Sequence, residues 1–263
     1  MNIDGRQEEI LDLLRTQDRV EVEDLSQRFQ VSSQTIRNDL RDLAEHGLVT
    51  RMHGGARRVA SVSNREYAER RKLKGAEKEE MGILAASLIP DNCSLTLNIG
   101  TTTEQVARAL SGHKGLVVLS NNVNIINTMM GVSSRELILV GGSVRQSDGA
   151  IVGEDAVEFI SRYKVDYAVI GASAIDEDGA VMDYDAREVS VARAILRNSR
   201  TRILVSDGSK FERTAPVRIC DIAELDYFVT DTMPPASFVE AARRAQTEIL
   251  TVDRDAEKVH TIG

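Results

Sequence analysis

Small polar residues follow several short apolar segments in the middle and late parts of the chain. Residues 100–103 read Gly-Thr-Thr-Thr, and residues 206–210 read Ser-Asp-Gly-Ser-Lys. Glycine permits close backbone approach, and threonine hydroxyls together with the amides of a helix N-terminus donate hydrogen bonds to phosphate oxygens. Asp207 and Lys210 add a carboxylate and a cation to the second loop. These residue types favour binding of a small phosphorylated molecule.

The elements that must position these loops alternate between strands and helices. We predict strands at seven apolar segments, 95–99, 116–120, 137–140, 167–170, 203–205, 227–229 and 249–252. Amphipathic helices are predicted between many of them, for example at 103–110, 122–130, 186–198 and 236–245. Such alternation indicates a mostly parallel sheet covered on both faces, with ligands beyond the carboxyl ends of its strands. Five strands end in small polar loops, so one shared pocket is expected from 100–103, 120–122, 141–143, 171–173 and 206–210.

The first sixty residues predict a small DNA-binding domain. Apolar residues at helical spacing predict helices at 6–16, 22–29 and 33–46, with a tight turn before the third. The segment after that helix predicts a two-stranded wing with Gly54 and Gly55 at its turn. This pattern is typical of a winged helix-turn-helix, an α+β fold whose last helix enters the major groove of DNA.

The polar face of the third helix carries side chains that can bind phosphates or base edges. The helix and the wing together supply the predicted DNA contacts: Ser32, Ser33, Gln34, Thr35, Arg37, Asn38, Arg41, Arg51, His53 and Arg57. The chain has a net charge of −8, yet residues 51–75 hold eight basic and two acidic side chains. This local excess favours nucleic-acid binding. The alternatives are a generic three-helix domain and an adaptor whose winged helix contacts proteins.

The stretch VSSQTIRNDLRDLAEHGLVTRMHGGA, residues 31–56, resembles the signature of the DeoR family of bacterial repressors. The family pattern has a second arginine where this chain has Asn38, so a charge is missing at an expected DNA-facing position. Later stretches, including NIGTTTEQVARAL and DGSKFERTAPVR, extend the resemblance over nearly the whole chain.

The resemblance implies an α/β sensor domain similar in fold to ribose-5-phosphate isomerase and glucosamine-6-phosphate deaminase. It implies that Gly100, Thr101, Thr102, Thr103 and Lys210 hold a phosphate. The residues expected around the rest of the effector are Asn121, Asn122, Gly141, Gly142, Arg145, Asp148, Asp178 and Asp207. Within the family, the run GGSVR…DGAIVGE and residues 183–189 resemble a member that responds to glycerol 3-phosphate more than the relatives that respond to sugar phosphates, and this resemblance implies glycerol 3-phosphate as the effector.

An enzyme that acts on sugar phosphates is the main alternative, because this kind of fold also hosts isomerases and deaminases. Such reactions need a general base. Residues 178–180 read Asp-Gly-Ala where the deaminases have Asp-Gly-His, and residues 171–175 lack the consecutive acids of the isomerases. Asp176, Glu177 and Asp178 could act as bases, although three acids in an exposed turn are usually only solvated. We therefore predict a repressor with no catalytic residue, cofactor or metal ion.

We divide the chain into a DNA-binding domain at 1–59, a basic linker at 60–76, and an effector-sensing and oligomerisation domain at 77–263. A single winged helix covers few base pairs, so a homodimer or homotetramer on double-stranded operator DNA is expected. The sequence shows no secretory signal and no apolar run of membrane-spanning length, and its two cysteines lie beside strand-like segments. These features predict a cytoplasmic protein with reduced thiols and no membrane partner.

Overall fold

The computed structural model describes residues 5–16, 19–45, 49–52, 54–58, 67, 71, 73–131 and 135–252. The chain divides into two compact units, Met1–Val62 and Ser63–Gly263. None of the helices described in either unit is both long and apolar enough to cross a lipid bilayer.

The first unit combines three helices with a three-stranded antiparallel sheet. Its elements are α1 (Gly5–Thr16), β1 (Arg19–Glu21), α2 (Val22–Phe29), α3 (Ser33–Glu45), β2 (Val49–Met52) and β3 (Gly55–Arg58). Strand β3 lies between β1 and β2. The predicted winged helix-turn-helix is confirmed. Strand β1 was not predicted, because three residues are too few to show the alternation that marks a strand.

The core of the first unit is built from one apolar stripe of each helix and the inward residues of the sheet. Ten apolar side chains are buried there: Ile10, Leu14, Val20, Val22, Leu25, Ile36, Leu40, Leu43, Val49 and Ala56. Helix α2 ends at Phe29, and the left-handed backbone of the next residue, Gln30 (φ 53°), turns the chain so that α3 can begin at Ser33. The packing therefore fixes α3 on its apolar side and leaves its polar face in solvent.

The second unit is organised by a seven-stranded parallel sheet. Its strands are β4 (Ser94–Leu97), β5 (Leu116–Ser120), β6 (Arg135–Leu139), β9 (Val165–Ile170), β12 (Ser199–Val205), β14 (Tyr227–Thr230) and β15 (Glu248–Thr251). The strand order is β15-β14-β12-β9-β4-β5-β6, and every neighbouring pair is parallel. All seven predicted strands are present. The order reverses between β4 and β9, and a crevice beyond the carboxyl ends at such a point is where α/β sheets bind ligands.

Helices cover both faces of this sheet. They are α4 (Gly75–Ser87), α5 (Thr101–Ala109), α6 (Val123–Met129), α7 (Glu154–Ser161), α8 (Ala186–Arg197) and α9 (Ala236–Ala245). Residues of α4 to α6 join one buried apolar cluster and residues of α7 to α9 join another. Helix α4 begins at Gly75, inside the segment that the sequence assigns to the linker.

Two small antiparallel additions complete the second unit. One is the hairpin of β7 (Val144–Arg145) and β8 (Ala150–Ile151), and the other is a sheet of β10 (Ala174–Ile175), β11 (Ala180–Asp183) and β13 (Val217–Asp221). Neither addition was predicted, because strands of two to five residues in loops carry little periodic signal.

Candidate nucleic-acid interface and effector site

The start of α3 is capped by its own side chains. Ser32 Oγ accepts a hydrogen bond from the Thr35 backbone amide at 3.1 Å, and the two hydroxyls lie 2.9 Å apart. The cap satisfies one of the amides that a helix leaves free at its N-terminus. Of the predicted DNA contacts, Ser32 and Thr35 thus also hold the helix in place, while Ser33 is half-buried.

The exposed face of α3 presents a preformed polar array. Asn38 Oδ1 accepts from Gln34 Nε2 at 3.2 Å and from Arg41 at 2.9 Å, and Arg37 is exposed beside them. The asparagine that departs from the family pattern therefore orients two neighbours that can donate to bases or phosphates. The structure brings Gln34, Arg37, Asn38 and Arg41 together on one solvent-facing surface.

The wing depends on two glycines. Gly54 has a φ of 87°, which favours glycine, and a Cβ at Gly55 would lie 2.1 Å from the Val20 carbonyl oxygen in β1. Strand β3 can therefore pair closely with β1 only if residue 55 has no side chain. Arg51 on β2 is exposed. His53 and the side chain of Arg57 lie outside the described residues.

A buried carboxylate in α3 was not singled out from the sequence. Asp39 is 6% exposed, and Arg6 of α1 donates to both of its oxygens, at 2.7 and 3.1 Å. This two-point contact joins α1 to the helix that carries the exposed polar array. In the sequence, Asp39 stands out only as an acidic residue close to Arg37 and Asn38. Nothing in that local pattern indicates that its partner is Arg6, 33 residues earlier.

The first loop at the carboxyl edge of the parallel sheet follows β4. Gly100 has a φ of 146°, and Thr103 Oγ1 donates to its carbonyl oxygen at 2.7 Å. Thr103 is fully buried, whereas Thr101 and Thr102 retain 9% and 8% exposure. The Thr103 hydroxyl therefore stabilises the helix start, while Thr101 and Thr102 keep access to the site with the first amides of α5.

The second loop ties the carboxyl end of β5 to the β7–β8 hairpin. Asn121 donates to the Ile151 carbonyl oxygen at 3.1 Å, and Asn122 donates to the Asp148 carbonyl oxygen at 3.1 Å. Asn122 Oδ1 also accepts from two amides at the start of α6. The amide side chains thus bring the hairpin, with Arg145 and Asp148, to the same edge of the sheet.

Arg145 is the centre of an acidic cluster. It donates to both oxygens of Asp148, at 2.9 and 2.6 Å, and lies 2.6 Å from Glu188 and 3.5 Å from Asp185. The surrounding carboxylates raise the pKa of Arg145 against the opposing effect of burial, so its charge is fixed. Glu188, at the start of α8, is a residue that the sequence did not assign to the site.

Glu188 gives this cluster a pH dependence. Burial, reinforced by Asp183, raises the pKa of Glu188 to about 7, although Arg145 opposes the rise. A carboxyl group whose pKa is higher in the folded than in the unfolded chain makes the folded protein less stable as the pH rises between the two pKa values. For Glu188 these values are near 4.5 in the unfolded chain and about 7 in the folded protein. Glutamine does not titrate, so Glu188→Gln should not be destabilised in this way. The thermal midpoint of the variant minus that of the wild type should therefore be larger at pH 8 than at pH 5. A constant difference across that range would contradict this assignment.

The carboxyl ends of β12 and β14 each carry a buried aspartate. Asp207 accepts from the Ser209 amide at 3.1 Å and from the Ser209 hydroxyl, and Asp231 accepts from the Gly208 amide at 2.6 Å. The Ser209 hydrogen bond and the nearby charges of Lys210, Lys74 and Lys78 lower the pKa of Asp207 despite its burial. The predicted Lys210 and Asp207 are thus neighbours at this edge.

Lys74 is a cation that the sequence analysis assigned only to the linker. Its Nζ lies 2.8 Å from Asp231 and 3.8 Å from Asp207, and its backbone is left-handed at φ 52°. The hydrogen bond to Asp231 raises the pKa of Lys74. The start of α4 therefore brings Lys74 into contact with loops more than 100 residues later in the chain, and the charge of the buried Lys78 in the first turn also acts on Asp207.

A second contact of the segment before α4 lies at the first turn of α5. Tyr67 donates to the buried carboxylate of Glu104 and accepts from Asn124 Nδ2 at 2.8 Å, while Arg71 lies 3.3 Å from Glu104. Burial raises the pKa of Tyr67, so the phenol keeps its proton for the bond to Glu104. These residues were not assigned to the site from the sequence.

Three predicted effector residues are placed differently from the rest. Asp178 lies in the β10–β11 turn, where it is exposed and accepts from the Ala180 amide at 3.0 Å. The adjacent Gly179 accepts from the Ile222 amide, and Glu177 accepts from the Ser237 hydroxyl at the start of α9 at 2.8 Å. Gly141 and Gly142 follow β6, the edge strand, and are exposed. Asp178 therefore lies in a turn of the small antiparallel sheet, and the two glycines lie at the edge of the parallel sheet, apart from the loops that follow its central strands.

Two protein-family models match consecutive parts of this chain. The DeoR-like helix-turn-helix domain matches residues 6–62, and the DeoR C terminal sensor domain matches residues 74–232. The chain belongs to the DeoR family. The repressor prediction and the family prediction are both confirmed by these matches and by the relatives of the chain.

Relatives of this DeoR-family protein align over most of its length. The glycerol-3-phosphate regulon repressor of Escherichia coli (strain K12) is 42% identical over 231 residues, 88% of this chain and 92% of the relative. The repressor of the same name from Haemophilus influenzae is 41% identical, with 87% and 89% covered. The transcriptional repressor CsqR of Escherichia coli (strain K12) is 34% identical, with 95% and 96% covered. These relatives support a regulator and not an enzyme.

Solved structures align with part of this chain at low sequence identity. Ribose 5-phosphate isomerase A from Neisseria gonorrhoeae is 14% identical with a TM-score of 0.37, over 51% of this chain and 52% of the isomerase. The eIF2B beta structure from Chaetomium thermophilum is 15% identical with a TM-score of 0.42, over 57% and 47%. Likeness at this level says nothing about what this DeoR-family protein binds.

Proposed function

We propose that this protein represses a glycerol or carbohydrate catabolic operon and leaves its operator when glycerol 3-phosphate binds the second unit. In this proposal α3 enters the major groove and Arg37 contacts bases, while Arg41 and Arg51 contact phosphates. The protein acts as a homodimer or homotetramer on repeated half-sites, because one winged helix buries too little surface for tight specific binding.

The observation that carries the proposal is the set of polar groups at the carboxyl edge of the sheet. Asn121 Oδ1 after β5 and Ser206 Oγ after β12 are buried and have no hydrogen-bond partner among the described residues. Buried polar atoms are nearly always hydrogen-bonded, so such a pair at one edge is typical of a ligand site. Glycerol 3-phosphate would supply hydroxyl groups for these atoms, and its phosphate would lie against the α5 N-terminus and Lys210.

The same edge offers a route by which the effector would reach the DNA-binding unit. Lys74 is held by Asp231 and Asp207, and Tyr67 and Arg71 are held by Glu104. A phosphate at this edge would compete with the aspartates for Lys74 and would alter the first turn of α5. Both changes would act on residues that follow the first unit in sequence. The effector-bound and effector-free states would then differ in their contacts, as allosteric coupling requires.

The proposal is tested by two measurements on the purified full chain. Glycerol 3-phosphate should raise the thermal midpoint of the protein, whereas glycerol and inorganic phosphate at the same ionic strength should have little effect. Operator binding, measured by fluorescence anisotropy on the upstream region of the protein's own gene cluster, should weaken at least tenfold with the effector, which needs only about 1.4 kcal/mol of coupling.

Three results would overturn parts of the proposal separately. If a sugar phosphate stabilises the protein and glycerol 3-phosphate does not, the proposed effector is wrong and the proposed repressor function remains. Turnover of either compound would show an enzyme instead of a repressor. Operator binding that no phosphorylated compound changes would show that the second unit does not control DNA binding.

A further inference from the structure

Four arginines converge on one open cleft that is separate from the carboxyl edge. The cleft lies between the C-terminal half of α8 and strands β12 and β13, and its volume is about 310 Å³. Arg193, Arg197, Arg202 and Arg218 line it, with Glu224 as the one carboxylate in the lining. Four positive charges against one negative charge make this a cationic site in a chain of net charge −8.

These arginines differ from others of the second unit in their partners. Seven arginines elsewhere in the unit have a carboxylate oxygen within 4.0 Å: Arg71, Arg145, Arg162, Arg187, Arg200, Arg243 and Arg244. Within the part of the chain that the structure describes, none of the four cleft arginines has such a partner. Glu224 offsets only one of the four positive charges, and its carboxylate accepts from the Asp221 amide at 2.9 Å instead of pairing with an arginine.

Backbone contacts hold two of these guanidinium groups in place. Arg193 donates to the carbonyl oxygens of Ile219 and Arg218 at 3.0 and 2.6 Å, and Arg202 donates to that of Glu224 at 3.0 Å. Arg202 Nε is buried and has no hydrogen-bond partner among the described residues. Two guanidinium groups held by backbone carbonyls, beside two that make no such contact, form a partly preorganised anion site, which lowers the entropy lost on binding.

The floor of the cleft is apolar. Leu196, Ile219 and Cys220 are buried beneath the arginines, and burial raises the pKa of the Cys220 thiol to about 12, so it adds no charge. Guanidinium groups bind phosphates through paired, parallel hydrogen bonds. A volume of this size matches the lower end of the range for small-molecule sites.

We propose that this cleft is a second anion site, which binds a small metabolite carrying a phosphate or pyrophosphate group. It differs from the effector site in place as well as in composition. Arg202 lies within β12, whereas the effector loops begin after the carboxyl end of that strand at Ser206. Both sites can therefore be occupied at once, and the cleft does not depend on glycerol 3-phosphate being the effector.

The test is calorimetric titration of the full chain with inorganic pyrophosphate at constant ionic strength. All titrations use a Lys210→Gln background, which weakens phosphate binding at the carboxyl edge. We expect the double change Arg197→Gln/Arg218→Gln to weaken pyrophosphate binding roughly tenfold or more, because two charge-assisted contacts are lost. Neither side chain makes a hydrogen bond to a described residue, so the fold and its thermal midpoint should be retained.

The matched control is Arg162→Gln/Arg243→Gln, which removes the same charge from two exposed arginines, each paired with a glutamate three or four residues earlier in the chain. It should leave pyrophosphate affinity unchanged. Equal weakening by both double variants would show general surface attraction and overturn the proposal. Absence of measurable pyrophosphate binding before any cleft substitution would also overturn it.

Discussion

Replacing Lys210 with glutamine is expected to weaken effector binding about 30- to 150-fold and to leave operator binding unchanged. In the proposed site the ammonium group would donate a charge-assisted hydrogen bond to the phosphate, and loss of such a bond costs about 2–3 kcal/mol. Lys210 follows Asp207 at the carboxyl end of β12, in the second unit and outside the winged helix. The variant would thus be a repressor that no longer responds to its inducer.

The measurement is a titration of each variant with glycerol 3-phosphate, followed by operator binding with and without the effector. Lys114→Gln is the matched control, since it makes the same charge change at an exposed residue before β5, at the amino edge of the sheet. Normal release of Lys210→Gln from DNA by the effector would remove Lys210 from the phosphate site.

Replacing Arg6 with methionine is expected to destabilise the DNA-binding unit by about 2–3 kcal/mol, because it leaves Asp39 buried without its cation. The expected value lies below that for a fully buried pair, since the Arg6 side chain is 28% exposed and that of Asp39 is 8% exposed. Destabilisation of this size would loosen the packing of α1 on α3 and weaken operator binding with it.

Hydrogen exchange of α1 and α3 peptides in the full chain measures this effect directly. Exchange should become about 30- to 150-fold faster in these helices and stay unchanged in the second unit. Arg19→Met is the matched control, because the Arg19–Glu21 pair is about half exposed on both sides and is expected to contribute less than about 1 kcal/mol. Equal effects of the two substitutions would show that burial of Asp39 is not what makes the Arg6 contact important.

The fold could be predicted from the sequence wherever a local pattern is long enough to be periodic. Apolar segments such as 116–120 and 227–229 are strands of the sheet, as predicted. The helical spacing of the apolar residues in α3 correctly predicted which of its faces is buried and which is exposed. The small strands β7, β8 and β10 could not be predicted, because two residues carry no period and their pairing depends on distant loops.

Some residues of the candidate site could likewise be predicted from local pattern and topology, and others could not. Loop residues at strand ends, such as Asn122 and Asp207, were predictable because topology alone places them at one edge. Lys74 and Glu188 were not, since their roles come from ion pairs with partners far away in sequence. Asp178 was assigned to the site by resemblance, and it lies in a tight turn between β10 and β11 instead of in a loop that follows a strand of the parallel sheet.

The left-handed backbone of Lys74 has a consequence for how easily the junction between sensing and DNA binding can change state. A residue other than glycine in this conformation is less stable than in an ordinary one by about 1–2 kcal/mol. The Lys74 side chain is held by two ion pairs, with Asp231 and Asp207. An anion that displaced these aspartates from Lys74 would also let the backbone return to an ordinary conformation, so less binding energy would be needed for the change of state.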